Sequence, residues 1–196
     1  MPRQKSIVAA ADSNDLARYD SLAAFVKRSG FKAMSCGSMS EQTLDQRYDP
    51  NDSWLRFVMQ NSAMMKVVET PLMAQVISKS HREKNAALLA AKSEILARHG
   101  LGGITGFLEP QILPASFYAA HPDIRGPRCD QPCVAMNPYY APCIDHPAVL
   151  AHYREATRKI LEIAPSITTI TIWTNDSGGG ICWCSGLYPD PNGPES

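Results

Sequence analysis

The chain has 196 residues, enough for one well-buried domain of ordinary size and too few to suggest two. Its 19 basic and 19 acidic residues cancel, and neither sign gathers into a block that would track a phosphate backbone or an anionic membrane, so neither nucleic acid nor membrane is an expected partner. No apolar run approaches the roughly 20 residues of a membrane helix, and Met1-Pro2-Arg3-Gln4-Lys5 lacks the apolar core of a secretion signal, so the chain as it stands reads as cytoplasmic.

Residues 6–11 run from small to apolar side chains, end in Asp12 and predict a first strand. Asn14 opens a helical pattern with Leu16, Tyr19, Leu22, Ala23 and Val26 on one face, and Ser29-Gly30 stops it. Residues 31–36 predict a second strand. A polar loop through Tyr48-Asp49-Pro50 and an undecided segment at 54–60 follow. Residues 64–68 are a third apolar run, ending in Glu69-Thr70-Pro71, where the proline stops a central strand from continuing. Residues 84–98 form the clearest helix, with a core stripe of Leu88, Leu89, Ala91, Ile95 and Leu96, closed by His99-Gly100.

A strand at 101–108 comes next and ends in Glu109-Pro110, repeating the arrangement at Glu69. A long loop rich in proline and cysteine spans 110–145, and loops of that length in a compact domain usually carry function. Pro147 then begins a helix capped by Asp145 or His146, with Val149, Leu150, Tyr153, Ala156, Ile160 and Leu161 on its face. Pro165 ends it. The β-branched run Ile167-Thr168-Thr169-Ile170-Thr171-Ile172 reads as a strand that empties into Trp173-Thr174-Asn175-Asp176-Ser177 and three glycines. Indole, amide and carboxylate at one strand end suit a sugar, which uses a flat apolar face and hydrogen bonds together. The same residues also suit a capped turn in which Asp176 binds backbone amides.

Strand and helix alternate throughout, which argues for a parallel α/β sheet with right-handed crossovers. Asp12, Glu69, Glu109 and Asp176 all fall at expected strand ends, where α/β proteins meet their ligands. Ala9-Ala10-Ala11-Asp12 is not the glycine-rich phosphate loop of a doubly wound sheet. A (β/α)8 TIM-barrel-like fold is therefore expected. Such a barrel takes about 250 residues, so 1–196 is expected to form a single partial barrel of about the first half to two-thirds, a fragment with unpaired edges prone to self-association.

The six cysteines lack the paired spacing of a zinc ribbon, and His81 and His99 sit near the ends of one helix, so no metal and no cofactor is assigned. Free thiols are the simplest reading of Cys36, Cys129, Cys133, Cys143, Cys182 and Cys184, with disulfides in the loops as the alternative. Met34, Met59, Met64, Met65 and Met73 read as gap-fillers of an apolar interior, and Tyr139-Tyr140 could line a sugar site or simply pack the loop.

Phe107-Leu108-Glu109-Pro110, the run His121-Pro122-Asp123-Ile124-Arg125-Gly126-Pro127-Arg128, Ala141-Pro142-Cys143-Ile144-Asp145-His146-Pro147 and Thr174-Asn175-Asp176-Ser177-Gly178 carry a resemblance. From about Trp54 onward the chain resembles bacterial glycoside-hydrolase-like proteins whose (β/α)8 barrel is similar to those of family-20 β-N-acetylhexosaminidases and α-glucuronidases. In those hexosaminidases a strand ends in an Asp-Glu pair, the Glu acting as general acid and the Asp orienting the substrate acetamido group. Asp176 matches the Asp. Ser177 stands where the Glu should be, and a serine hydroxyl is far too weak an acid to protonate a glycosidic oxygen.

The resemblance implies hydrolysis of a glycosidic bond between two carboxylates. Glu109 is then the expected acid and Asp176 the stabiliser or nucleophile. Glu69, Arg125 and Asn175 are expected sugar contacts, with Trp173 or Trp183 as the platform under the ring. For each glutamate the structural alternative is a strand-end residue that bonds loop amides or an arginine. Two other classes compete: a carbohydrate-binding barrel that lost its acid, supported by Ser177, and a cysteine-based metal or interaction module around Cys129 to Cys143.

Overall fold

The computed structural model describes residues 7–39, 51–130 and 134–174. In it, four of the expected apolar runs become strands of one parallel sheet: β1 (Val8–Ala9), β2 (Ala33–Ser35), β3 (Gly102–Leu108) and, last in the chain, β6 (Ile167–Trp173), in the spatial order β1-β2-β3-β6. The sheet grows in chain order without the reversal that marks a doubly wound sheet. Three long helices connect it: α1 (Leu16–Arg28), α3 (Lys79–His99) and α5 (Pro147–Ile163).

Their inward side chains, among them Tyr19, Ala23 and Val26, then Leu89, Ile95 and Leu96, then Ala156 and Ile160, join Met34, Cys36, Phe107 and Ile167 in one core. The helices therefore form a layer on a single face of the sheet. Alternation places Ser35, Ile104, Gly106, Thr169, Thr171 and Trp173 on the other face, none of them buried, together with Ala33 and Leu108, which are buried, Leu108 beneath α2. No helix among the described residues is long and apolar enough to cross a membrane.

Local chemistry sets the helix ends. Asp15 caps α1 by accepting from Ala17 and Arg18 N–H, and Ser78 caps α3 through His81 N–H. Gly100 closes α3 in a left-handed conformation, φ 59°. The α3 helix starts earlier than the expected residue 84, because the polar first turn after Ser78 carries no apolar rhythm to announce it. His146, one of the two expected caps, accepts from Ala148 N–H to begin α5. The undecided segment at 54–60 is α2 (Ser53–Gln60), capped by Asp52.

The third apolar run is not a strand. Met64–Lys66 is a short 3-10 turn: Met64, Val67 and Val68 enter the first core, while Met65 enters a second. A run buried on all sides carries no strand periodicity and is equally served by a turn. Glu69 consequently does not stand at a strand end.

The expected loop at 110–145 is also more built than a loop. It contains α4 (Ala115–Ala120), a 3-10 turn at Pro122–Ile124, and an antiparallel ribbon of β4 (Arg125–Arg128) and β5 (Tyr140–Pro142). Its apolar residues Ile112, Leu113, Phe117, Tyr118, Ile124, Cys129 and Ala141 pack with Trp54, Leu55, Val58 and Leu108 as the second core. Met59 and Met73 fill gaps there. Trp54 Nε1 donates to Cys129 O, and Asp52 accepts from the Tyr139 hydroxyl at 2.6 Å and from Met136 N–H at 3.1 Å. The two strands of the ribbon approach so closely at Gly126 that a Cβ there would lie 2.6 Å from Cys143 N and 2.7 Å from Ala141 O. Gly126→Ala should therefore push the ribbon apart and lower thermal stability by about 1 to 3 kcal/mol, a loss that a melting curve of the variant would show.

Candidate functional site

Three polar constructions cluster at the carboxyl end of the sheet. The first centres on Glu109, the residue after β3. Its Oε1 accepts from Met64 N–H at 2.7 Å and its Oε2 from the Tyr153 hydroxyl of α5 at 3.0 Å. Burial pushes this carboxyl up to about 7, against the bonds from Met64, Tyr153 and Gln111 N–H and the charge of Lys66. Lys66 is itself fully buried and donates to Met59 O and Asn61 O, each at 2.6 Å. Burial pulls its amine down to about 7, with Glu109 acting the other way. Nearby, His152 shares a 2.7 Å hydrogen bond with Thr70, and burial holds its imidazole down to about 4.

The second construction joins the ends of β1 and β2 to α3. Lys92 Nζ lies 2.6 Å from Asp12 Oδ1 and from Ser38 Oγ, and 3.1 Å from Asn14 Oδ1 and Ser38 O. Asp12 also accepts from Ser13 and Ser38 N–H. Tyr19 lies beneath the ammonium and donates its hydroxyl to Ser35 O. Burial, and then the charge of Asp12, push the Cys36 thiol up to about 12, so this cysteine is an inert packing residue.

The third is a cleft of about 240 Å³ on the uncovered face, lined by Asn61, Ser62, Gly106, Phe107, Leu108, Thr171 and Trp173. Trp173 is 49% exposed and meets Phe57 edge-on, with ring centroids 6.2 Å apart. Ser62 Oγ donates to Gly37 O and Asn61 Nδ2 to Phe57 O, which fixes both groups at the rim.

Of the residues expected to form a site, Glu109 and Trp173 are neighbours: Glu109 N–H donates to Trp173 O at 3.0 Å. Their functional groups nevertheless diverge. The Glu109 carboxyl turns into the helix layer toward α5, while Trp173 stands in the cleft. Glu69 lies away from both, ion-paired with Arg82 of α3. The Arg125 guanidinium lies 4.8 Å above the Tyr140 ring in the ribbon. Asn175, Asp176 and Trp183 lie outside the described residues, as do Ser177, Cys133, Cys182 and Cys184.

Cys36, Cys129 and Cys143 carry thiols, and no group of three or more His, Cys, Asp or Glu among the described residues is placed to hold a metal. Tyr153, Lys66 and Lys92 were not legible as members of these clusters from residue pattern alone, except that Lys92 interrupts the apolar stripe of α3. No protein-family model matches the sequence, and a search of curated proteins finds no match.

Proposed function

We propose that this chain contributes part of a (β/α) barrel whose mouth binds a carbohydrate, with Trp173 as the platform under a sugar ring. A sheet built in chain order, with its three connecting helices on one face, supports the barrel: right-handed crossovers that always step the same way leave the connecting helices outside and the other face for an interior. The observation that carries the ligand class is the cleft at the ends of β3 and β6, where a half-exposed indole shares a wall with the side chains of Asn61, Ser62 and Thr171. Its volume falls below the roughly 300 Å³ at which sites for drug-sized ligands begin, which suits one sugar ring.

Hydrolysis is the second reading, favoured by the proton that Glu109 retains near neutral pH, as a general acid requires. Both Glu109 oxygens are engaged on the helix side, however, so binding is the reading that the geometry supports better. Titrating N-acetylglucosamine and glucuronic acid while following tryptophan fluorescence, beside a panel of nitrophenyl glycosides, separates them. Binding without turnover is expected, weakened at least about tenfold in Trp173→Ala, a loss of roughly 1.4 kcal/mol. Turnover that disappears in Glu109→Gln or Asp176→Asn would replace this reading with the hydrolase. Failure of every sugar to bind would remove both.

A further inference from the structure

We infer that two copies of this chain close into one eight-stranded barrel, β6 of each copy pairing with β1 of the other about a two-fold axis parallel to the strands. This rests on the barrel reading above. Four parallel strands in chain order, with the three connecting helices α1, α3 and α5 on one face, are half of an eight-stranded barrel in number and in sidedness. Among the described residues the sheet ends in two open edges, β1 and β6. A two-fold rotation presents each edge to the other with the strands still parallel. It forms two identical seams and leaves no edge, which is the closed symmetric solution available to a sheet of this kind.

The outer edge of β6 is built like a buried strand. Its sequence Ile-Thr-Thr-Ile-Thr-Ile-Trp holds no charge and no proline, the devices by which exposed edges usually avoid partners. Trp173 O faces β3, where it accepts from Glu109 N–H. By alternation along the strand, the peptide groups of Ile170 and Ile172 face the outer edge. Ile172 on β6 and Val8 on β1 are exposed apolar residues at the two edges. A second copy supplies four strands at once, in the same order and with the same sidedness. The Trp173 cleft then becomes part of a mouth with two equivalent halves.

Light scattering during size-exclusion chromatography of the 196-residue polypeptide tests the inference. The expected mass is twice the 21.5 kDa of one chain, with the Ile170 and Ile172 amides protected from hydrogen exchange. Ile172→Pro removes an outward N–H without touching the β3 ladder and should halve the mass, while Ile172→Thr should leave it unchanged. Ile172→Lys serves the same purpose if the proline variant does not fold. A monomer with cooperative unfolding, an open-ended series of larger species, or a dimer that survives both edge variants would overturn the inference. Mass and sugar titration are read separately: a dimer without sugar affinity leaves closure standing and removes the sugar reading, and sugar affinity in a monomer does the reverse.

Discussion

Replacing Asp12 by Ala should cost about 3 to 5 kcal/mol of folding stability, the usual penalty for leaving one member of a buried ion pair alone. Lys92 is fully buried, and its ammonium holds a 2.6 Å contact to Asp12 Oδ1. Without that carboxylate only the neutral oxygens of Asn14 and Ser38 remain to offset the buried charge. The converse change should cost less. In Lys92→Met the Asp12 carboxylate keeps the N–H groups of Ser13 and Ser38 and the Ser35 hydroxyl, its side chain is 14% exposed, and the methionine stem fills the space of the lysine stem. Urea unfolding of both single variants and of the double variant checks the argument. The double variant should be more stable than Asp12→Ala alone, because removing the ammonium removes the stranded charge. Simple additivity of the two losses would show that the pair is not coupled.

That ion pair also shows what the sequence makes legible. Of the stripe Leu88, Leu89, Ala91, Ile95 and Leu96, the residues Leu89, Ile95 and Leu96 enter the core, Leu88 and Ala91 are only half-buried at its border, and Lys92 is buried beside them, three residues after Leu89 and three before Ile95. A lysine inside an apolar stripe announces a buried cation. The identity of its anion is not announced, since Asp12 is 80 residues away in the chain and comes near only when β1 and β2 pair beside α3. The same division holds for Glu109. Its place after a strand follows from the apolar run and the proline. The direction of its carboxyl depends on Tyr153 and on the turn at Met64–Lys66.

The segments whose structure differs from the expected one are physically ambiguous in sequence. Residues 64–68 are all buried, Met64, Val67 and Val68 in the first core and Met65 in the second, and such a segment has no period from which to read strand or turn. Residues 110–145 looked like a loop because proline and cysteine mask short elements. The ribbon and α4 are held less by their own propensities than by Trp54, Asp52 and Leu108 from outside the segment. Glu69 was drawn into the expected site by the false strand before it, and Arg82 accounts for it instead.

Stability should be nearly flat between pH 4.5 and 6.5 in the native chain and should slope in opposite directions in two variants. Glu109 holds its proton to about 7 in the fold against 4.5 for an ordinary glutamate, so in this window the folded state binds more protons than the unfolded one. Its contribution is complete below 4.5 and is lost as pH rises toward 7. His152 is the mirror case. Burial lowers it to about 4 from 6.5, the unfolded chain takes up the extra proton, and stability falls as pH drops from 6.5 toward 4. Each slope approaches about 1.4 kcal/mol per pH unit, and the two oppose each other where they overlap. Glu109→Gln leaves the histidine alone, so its melting temperature should climb from pH 4.5 to 6.5. His152→Phe leaves the glutamate alone, so its melting temperature should fall over the same range, on top of a constant loss from the unpaired Thr70 hydroxyl. Lys66, lowered to about 7 from 10.5, adds stability that grows as pH rises above 7 and leaves the lower window to the other two. Parallel curves for both variants would mean that neither group titrates differently in the folded and unfolded states. The proton assigned to Glu109, and with it the support for an acid at the end of β3, would then be withdrawn.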